Sequence, residues 1–307
     1  MTHRTVAVLG LGAMGLPMAA RLAGAFPVRG FDISAERLRL AEEAGVRPTA
    51  SAREAADGAD AVLLAVRNAE QLDAVLFGAD GVAEALEPGA VVLLTSTVGR
   101  EAIPPVVRRL AEHGVALVDA PLSGGPARAG SGDLLIVVGA EPAALDTARP
   151  VLERLASTLT VVGDAPGDGQ ALKTVNQLLC GVHIAAAAEA LALADALGLD
   201  QERTLAALEV GAAGSFMLSN RGPRALEAYD ENGAEVLSRL DIFVKDLGIV
   251  GSAARSAGLA APVAAAAEQL FLLGQAHGLG AADDSAVIKV VAPHKRVPPA
   301  AGQAADG

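Results

Sequence analysis

The sequence predicts an α/β fold: an N-terminal domain built on a parallel β-sheet, followed by an all-α C-terminal domain. Three observations carry this reading. Short β-branched runs alternate with helical patterns through the first half of the chain, which implies a parallel sheet covered on both faces. A turn-rich break, DAPGDG at 164–169, ends the alternation. Beyond it no strand pattern stands out, and Ala/Leu-rich stretches with helical spacing take over.

The predicted strands are VAVL at 6–9, VRGFD at 28–32, AVLLAV at 61–66, VVLLT at 91–95, VALVD at 115–119, LLIVV at 134–138 and LTVV at 159–162. Helical spacing fills most of the gaps, as in AERLRLAEEAG at 35–45, which closes on Gly45. A long helical stretch runs from about Gly169 to Gly198, and a later helix has Pro262 near its start and Gly278 just past its end. From Pro293 the chain is rich in Pro, Ala and Gly and is expected to be disordered. The expected organisation is a cofactor domain over 1–164, a helical domain over 165–292 joined by a long helix, and a tail over 293–307.

Composition narrows the function. With 307 residues, 52% hydrophobic and 20% charged, the chain has room for two cores and is globular rather than disordered. Aromatic residues are 2% with no Trp, so the core must be built from Ala, Val and Leu. A net charge of -12 argues against nucleic acid and against an anionic membrane surface. The single cysteine, Cys180, forms no internal disulfide, and no zinc-like cluster or other metal site is expected. Residues 6–25 mimic a signal peptide, but their glycine pattern has a better explanation. Residues 177–199 are apolar yet interrupted by His183, Glu189 and Asp195, which favours a buried helix over a membrane span. A cytoplasmic protein is expected.

In TVAVLGLGAMGLPMAARLAG, at 5–24, a strand runs into Gly10-x-Gly12-x-x-Gly15 and a helix pattern follows. Gly10 permits the tight turn, Gly12 lets the backbone approach a pyrophosphate, and Gly15 allows close helix–strand packing. The helix N-terminus then presents N–H groups and a positive dipole end to phosphates. Glycines alone often only mark turns, but here strand, glycines, helix and second strand arrive in order. The first domain therefore reads as a Rossmann-type dinucleotide binder, cradled by Gly10, Leu11, Gly12, Ala13, Met14 and Gly15. Asp32 ends the second strand, where an acidic residue takes the ribose hydroxyls and repels the extra phosphate of NADP. NAD is the expected cofactor, with Arg37 keeping NADP in play. Asp32 equally suits a solvated loop or the N-cap of the next helix.

Three further segments carry candidate chemistry. In DAPLSGGPARAGSG at 119–132, Ser123, Gly124 and Gly125 offer a hydroxyl and open backbone N–H groups to a carboxylate or hydroxyl of a substrate, although alone they are a turn. In GQALKTVNQ at 169–177, Lys173 sits early on an apolar helix, with Asn176 and Gln177 on the same face at i+3 and i+4. Desolvation would lower the lysine from its reference pKa of about 10.4 and poise it for proton transfer. A Lys snorkelling from a helix end fits the same pattern. In DIFVKDLGIV at 241–250, Lys245-Asp246 reads most simply as an exposed charge pair. Asp119 suits a loop cap, His183 a satisfied core histidine and Cys180 a small apolar filler.

Taken together, GLGAMGLPMA at 10–19, Thr95-Ser96-Thr97, DAPLSGG at 119–125, GQALKTVNQ and Lys245-Asp246 resemble the β-hydroxyacid dehydrogenase family over about residues 5 to 292. NAEQLDAVLFG at 68–78, QLLCGVHIAAAAEALALADALG at 177–198, VKDLGIV at 244–250 and DDSAVIKV at 283–290 are similar to its L-threonate dehydrogenase subgroup, which oxidises a four-carbon sugar acid at C2 with NAD. The resemblance implies a Rossmann domain joined by a long helix to an all-helical domain that builds a dimer or tetramer interface. It implies that Lys173 is the general acid/base, that Ser123, Gly124 and Gly125 hold the substrate carboxylate, and that Gln177, beside Asn176, hydrogen-bonds the substrate. It also places Thr97 near the nicotinamide ribose, Lys245 over the cofactor and Asn68 in the cofactor-binding set. Many members carry Asn at position 177, which weakens a 3-hydroxyisobutyrate assignment; Leu122 stands where Val is usual.

The expected reaction is hydride transfer from a small hydroxy acid to NAD. The alternatives are an NADPH-dependent reductase of glyoxylate or succinic semialdehyde, which Asp32 opposes, a 3-hydroxyisobutyrate dehydrogenase, and a non-catalytic cofactor-binding protein, which Lys173 and the Ser-Gly-Gly loop oppose. AAGSFMLSNRG at 212–222 is expected to line the substrate pocket.

Overall fold

The computed structural model describes residues 4–294. The predicted tail, apart from Pro293 and His294, lies outside the described residues. The chain divides into two compact units, Met1–Thr174 and Val175–Gly307.

The first unit is a nine-stranded sheet in the order β3-β2-β1-β4-β5-β6-β8-β7, with β9 on β8. Its strands are β1 (Val6–Leu9), β2 (Val28–Phe31), β3 (Arg47–Pro48), β4 (Ala61–Leu64), β5 (Val91–Leu94), β6 (Ala116–Asp119), β7 (Leu122–Ser123), β8 (Leu134–Gly139) and β9 (Ala156–Gly163). The helices of this unit are α1 (Gly15–Ala23), α2 (Ala35–Glu43), α3 (Ala52–Ala56), α4 (Ala69–Phe77), α5 (Ile103–Ala111), α6 (Gly125–Ser131) and α7 (Pro142–Leu155). The first six strands are parallel, with Val6 opposite both Val28 and Ala61. Because strand side chains alternate between faces, each central strand feeds two cores. Val6, Val8, Leu63 and Leu93 pack with Met18, Leu22, Val151 and Leu152 on one face. Ala7, Leu9, Val62, Leu64, Val92 and Leu94 pack with Leu72, Leu76, Ile103 and Leu110 on the other.

The sheet departs from the all-parallel expectation at β8, which runs antiparallel to β6 and β7. The cause is the connection. A parallel crossover needs about a dozen residues or more. Between β7 and β8 lie only Gly124–Asp133, with α6 closing on Gly132 in the left-handed conformation, so the chain turns back. LTVV at 159–162 proves to be the second half of β9, which runs parallel to β8.

The chain passes to the second unit inside α8 (Asp168–Ala196), a helix of 29 residues. The division falls beyond the turn-rich break at 164–169, because the first turn of α8 is hydrogen-bonded to the loop after β5 at Val98 and to the end of β6 at Asp119. By length and hydropathy α8 could cross a membrane, but 56% of its apolar window is buried in the fold, as in a core helix. The second unit adds α9 (Gln201–Glu209), α10 (Phe216–Glu227), α11 (Leu240–Ser256), α12 (Pro262–Ala276) and α13 (Ile288–Val291). Its core joins Ile184, Leu191, Leu240 and Leu247 to Phe243 and Phe271, whose rings stack at 5.3 Å. Small residues let these helices approach: a Cβ on Gly181 would meet Leu247 at 2.7 Å, on Gly222 Leu205 at 2.5 Å, and on Gly274 Leu240 at 2.9 Å. A buried ion cluster ties α10 to the segment before α13. Arg221 grips Asp284 through two hydrogen bonds, at 2.9 and 3.1 Å, and Arg224 donates to Asp283 at 3.0 Å.

Candidate active site

The cofactor loop follows from three glycines that do different things. Gly10 has φ +92°, and a Cβ there would lie 2.5 Å from the carbonyl oxygen of Ala65. A Cβ on Gly15 would lie 1.8 Å from the carbonyl oxygen of Gly10, so α1 can start this close to the loop only without one. Gly12 is the opposite case: a Cβ would meet nothing within 4 Å. The space above Gly12 is open, at the N-terminal, positive end of the α1 dipole. Met14 caps α1 without a side-chain hydrogen bond, whereas Ser34, Ser51 and Asn68 cap α2, α3 and α4 with theirs. An open cradle at a helix N-terminus fits a dinucleotide pyrophosphate.

Asp32 stands just past β2, partly buried. Its carboxylate accepts from the Leu11 N–H at 2.7 Å and the Ser34 N–H at 2.9 Å. The N-cap of α2 is Ser34, accepting from the Arg37 N–H, so Asp32 is not the cap. It is a strut between the glycine loop and β2. Asn68 is the N-cap of α4, accepting from the Gln71 N–H at 2.9 Å.

Ser123 ends β7, and Gly124 and Gly125 follow with φ +146° and +78°, conformations that favour glycine. A Cβ on Gly125 would meet nothing within 4 Å, so its backbone is open to a ligand. Thr97 lies past β5 in a loop whose neighbours are fixed from within: Thr95 Oγ1 donates to the Leu64 carbonyl at 2.8 Å.

Sequence reasoning missed the group that organises this end of the sheet. Asp119 and Gln170 are both 0% exposed. Asp119 does not merely cap its own loop. Its carboxylate accepts from the N–H of Gly167 at 3.0 Å, the N–H of Gln170 at 2.8 Å and Nε2 of Gln170 at 2.8 Å. Burial pushes the Asp119 carboxyl above the usual carboxylate range, against the pull of those donors. The Gln170 side chain also donates to the Ser96 carbonyl at 3.0 Å and accepts from the N–H groups of Val98 at 2.9 Å and Gly99 at 3.1 Å. The one available signal was a glutamine amid apolar residues in the first turn of α8, three places before Lys173.

Lys173, Asn176 and Gln177 lie on one face of α8; Lys173 and Asn176 are partly buried and Gln177 is buried. In the second unit, Asn176 donates to Oε1 of Gln177 at 2.9 Å and lies 3.4 Å from Cys180 Sγ. Gln177 Nε2 donates to Asp246 at 2.5 Å. Asp246 is 3% exposed, and its other oxygen is 2.7 Å from the Lys245 ammonium, close enough for an ion pair though out of line for a hydrogen bond. The Lys245-Asp246 pair is therefore not a solvated one: the buried carboxylate links Gln177 to Lys245.

Comparison with known proteins shows the family. Residues 5–163 match the NAD-binding domain of 6-phosphogluconate dehydrogenase, and residues 167–291 match the NAD-binding module of NADP-dependent 3-hydroxyisobutyrate dehydrogenase. The chain is 43% identical to an L-threonate dehydrogenase of Cupriavidus necator, over 94% of this chain and 96% of that one. A crystal structure from Salmonella typhimurium described as 3-hydroxyisobutyrate dehydrogenase superposes with a TM-score of 0.86 at 36% identity, covering 94% of this chain and 99% of the other. The Mycobacterium tuberculosis 3-hydroxyisobutyrate dehydrogenase with L-serine superposes with a TM-score of 0.82 at 30% identity, covering 95% and 100%.

Proposed function

The chain belongs to the 3-hydroxyisobutyrate dehydrogenase family of NAD-dependent hydroxy acid oxidoreductases, and on that premise we propose that its substrate is L-threonate or a closely related four-carbon sugar acid, oxidised at C2. The observation that carries the proposal is the face of α8 that aligns Lys173 with Asn176 and Gln177. A lysine there is placed to exchange a proton, and the two amides to hold substrate hydroxyls. Lys173 takes the C2 hydroxyl proton, and Ser123 with the open backbone of Gly124 and Gly125 holds the carboxylate. Gly10, Leu11, Gly12, Ala13, Met14 and Gly15 cradle the dinucleotide, Asp32 takes its ribose hydroxyls, and Asn68 and Thr97 complete the site on the first unit. Bound NAD supplies the hydride acceptor. General acid–base help of this kind is worth about 10²–10⁴ in rate.

The 43% identity to an L-threonate dehydrogenase supports this substrate over 3-hydroxyisobutyrate, as does Gln at position 177. Asp32 favours NAD, because a carboxylate repels the 2′-phosphate of NADP. We place the enzyme in the cytoplasm as a homo-oligomer. Val175, Leu179 and Leu193 are exposed apolar residues on one side of α8, suited to a second copy of the chain.

The test is an assay of NAD and NADP reduction on L-threonate, D-threonate, D-erythronate, D-glycerate and 3-hydroxyisobutyrate, for wild type and Lys173→Ala. L-threonate with NAD should be the best pair, and Lys173→Ala should lose at least about 100-fold in turnover while still binding NADH. An active Lys173→Ala enzyme overturns the role of the lysine. Silence on every sugar acid, with aldehyde reduction by NADPH, overturns the substrate.

A further inference from the structure

We infer that Gln170, locked by Asp119, is a positioning residue that sets the register between Lys173 and the loop carrying Thr97. This rests on Lys173 being the proton-transfer group, as proposed above. The argument is one of valence. A glutamine amide has two donor hydrogens and an acceptor oxygen with two lone pairs. Here Nε2 donates to the Ser96 carbonyl and to Asp119, and Oε1 accepts from Val98 and Gly99, so every capacity is used. Two of those bonds bracket Thr97, one to the residue before it and one to the residue after. The backbone N–H of the same Gln170 is held by the other oxygen of Asp119.

Lys173 is three residues further along the helix, about 4.5 Å of rise. The Gln170 carbonyl accepts from Thr174 Oγ1 at 2.8 Å, which carries the same rigid turn past the lysine. One side chain therefore ties the Thr97 loop to the helix turn that presents Lys173. A slide of α8 along the end of β5 breaks several buried bonds at once, each leaving an unsatisfied partner. A core-filling residue needs none of this polarity. A proton-transfer group needs such a fixed register, since misplacement by about 1 Å can cost 10²-fold in rate.

The test is an exchange of the two groups. In Gln170→Glu a second carboxylate faces Asp119 and the Ser96 carbonyl. In Asp119→Asn an amide hydrogen faces either Nε2 of Gln170 or the helix N–H groups. In the double variant the new amide at 119 donates to the new carboxylate at 170, and only the Ser96 carbonyl loses its donor. Each single variant should lower kcat about 100-fold, shift the pH midpoint of kcat/KM, and speed amide hydrogen exchange at Val98 and Gly99. The affinity for NADH should change far less than kcat. The double variant should restore slow exchange and at least a tenfold share of the lost kcat.

A merely structural role lowers the melting temperature and leaves kcat per NADH-binding site and the pH midpoint of kcat/KM at wild-type values; that result overturns the inference. So does a double variant that folds and restores slow exchange but stays as slow as the singles. If a single variant does not fold, the double variant against wild type decides alone. Lys173→Ala runs in parallel: if it stays active, the proton-transfer assignment has failed. If it is inactive while the exchange variants turn over normally, only the positioning role has failed.

Discussion

Replacing Gly12 by alanine separates cofactor binding from folding more cleanly than any other change in the glycine loop. A Cβ there meets no protein atom within 4 Å, and Gly12 is not among the positive-φ glycines. The folded state therefore accepts the methyl without strain, and a compatible Gly→Ala change stabilises by about 0.4–1 kcal/mol through the unfolded chain. The methyl does fill the space through which a phosphate reaches the backbone. A phosphate oxygen sits about 3 Å from an N–H donor, and an added carbon blocks that approach. Losing one charge-assisted hydrogen bond costs about 1.5–3 kcal/mol, which is roughly 10- to 150-fold in Kd. Gly15→Ala, by contrast, drives a Cβ to within 1.8 Å of the Gly10 carbonyl and should destabilise the fold itself. Thermal denaturation without cofactor and NADH titration by fluorescence read the two effects apart. Gly12→Ala should melt at or slightly above the wild-type temperature and bind NADH at least tenfold more weakly. Wild-type affinity in Gly12→Ala refutes the cradle, and a clearly lowered melting temperature refutes the open space.

Asp32→Ala should shift cofactor preference toward NADP while destabilising the first unit by about 1–2 kcal/mol, because the Leu11 and Ser34 N–H groups lose their acceptor; relative kcat/KM for the two cofactors and a melting curve check it. Asp283→Asn should cost about 1.5–3 kcal/mol near neutral pH, since buried Arg224 loses the carboxylate it donates to at 3.0 Å and keeps only Asp284, at 3.9 Å. Burial raises the Asp283 carboxyl, but hydrogen bonds from Ser285 and Arg224 outweigh it and hold the group below its usual range. The stability it adds is therefore present above about pH 4 and lost as pH falls through the folded-state value. The deficit of the variant, followed by urea denaturation at several pH values, should be full at pH 7 and shrink in acid.

The central strands and α1 were legible because their signals are periodic: four apolar residues running into Gly10-x-Gly12-x-x-Gly15 leave little choice. The strands β3 and β7 were not, because two residues carry no period and Arg47–Pro48 lacks one ladder donor as well. The reversal of β8 is absent from LLIVV itself, since direction depends on how far the preceding connection reaches. Polar residues were hardest. Asp119 and Gln170 are buried because each is fully partnered, in part by the other, and neither betrays this without its partner 51 positions away. Asp246 looked solvated because its neighbour is a lysine, while its second partner, Gln177, lies on another helix. Asp32 was read for its charge, and its work as a strut emerged only with Leu11 and Ser34 in place.

The three glycine–leucine meetings in the helical unit make it a set of keyed joints. Gly181, Gly222 and Gly274 are the keyways, and Leu247, Leu205 and Leu240 the keys. Closing a keyway jams its joint, shortening a key leaves it loose, and only a matched exchange, such as Gly181→Ala with Leu247→Val, keeps it seated. Positions so coupled drift in pairs rather than singly, and a chain with so few aromatic residues has little bulk elsewhere to absorb an unmatched step. The helical unit should therefore diverge by correlated double changes at these three joints, while the surfaces around them vary freely.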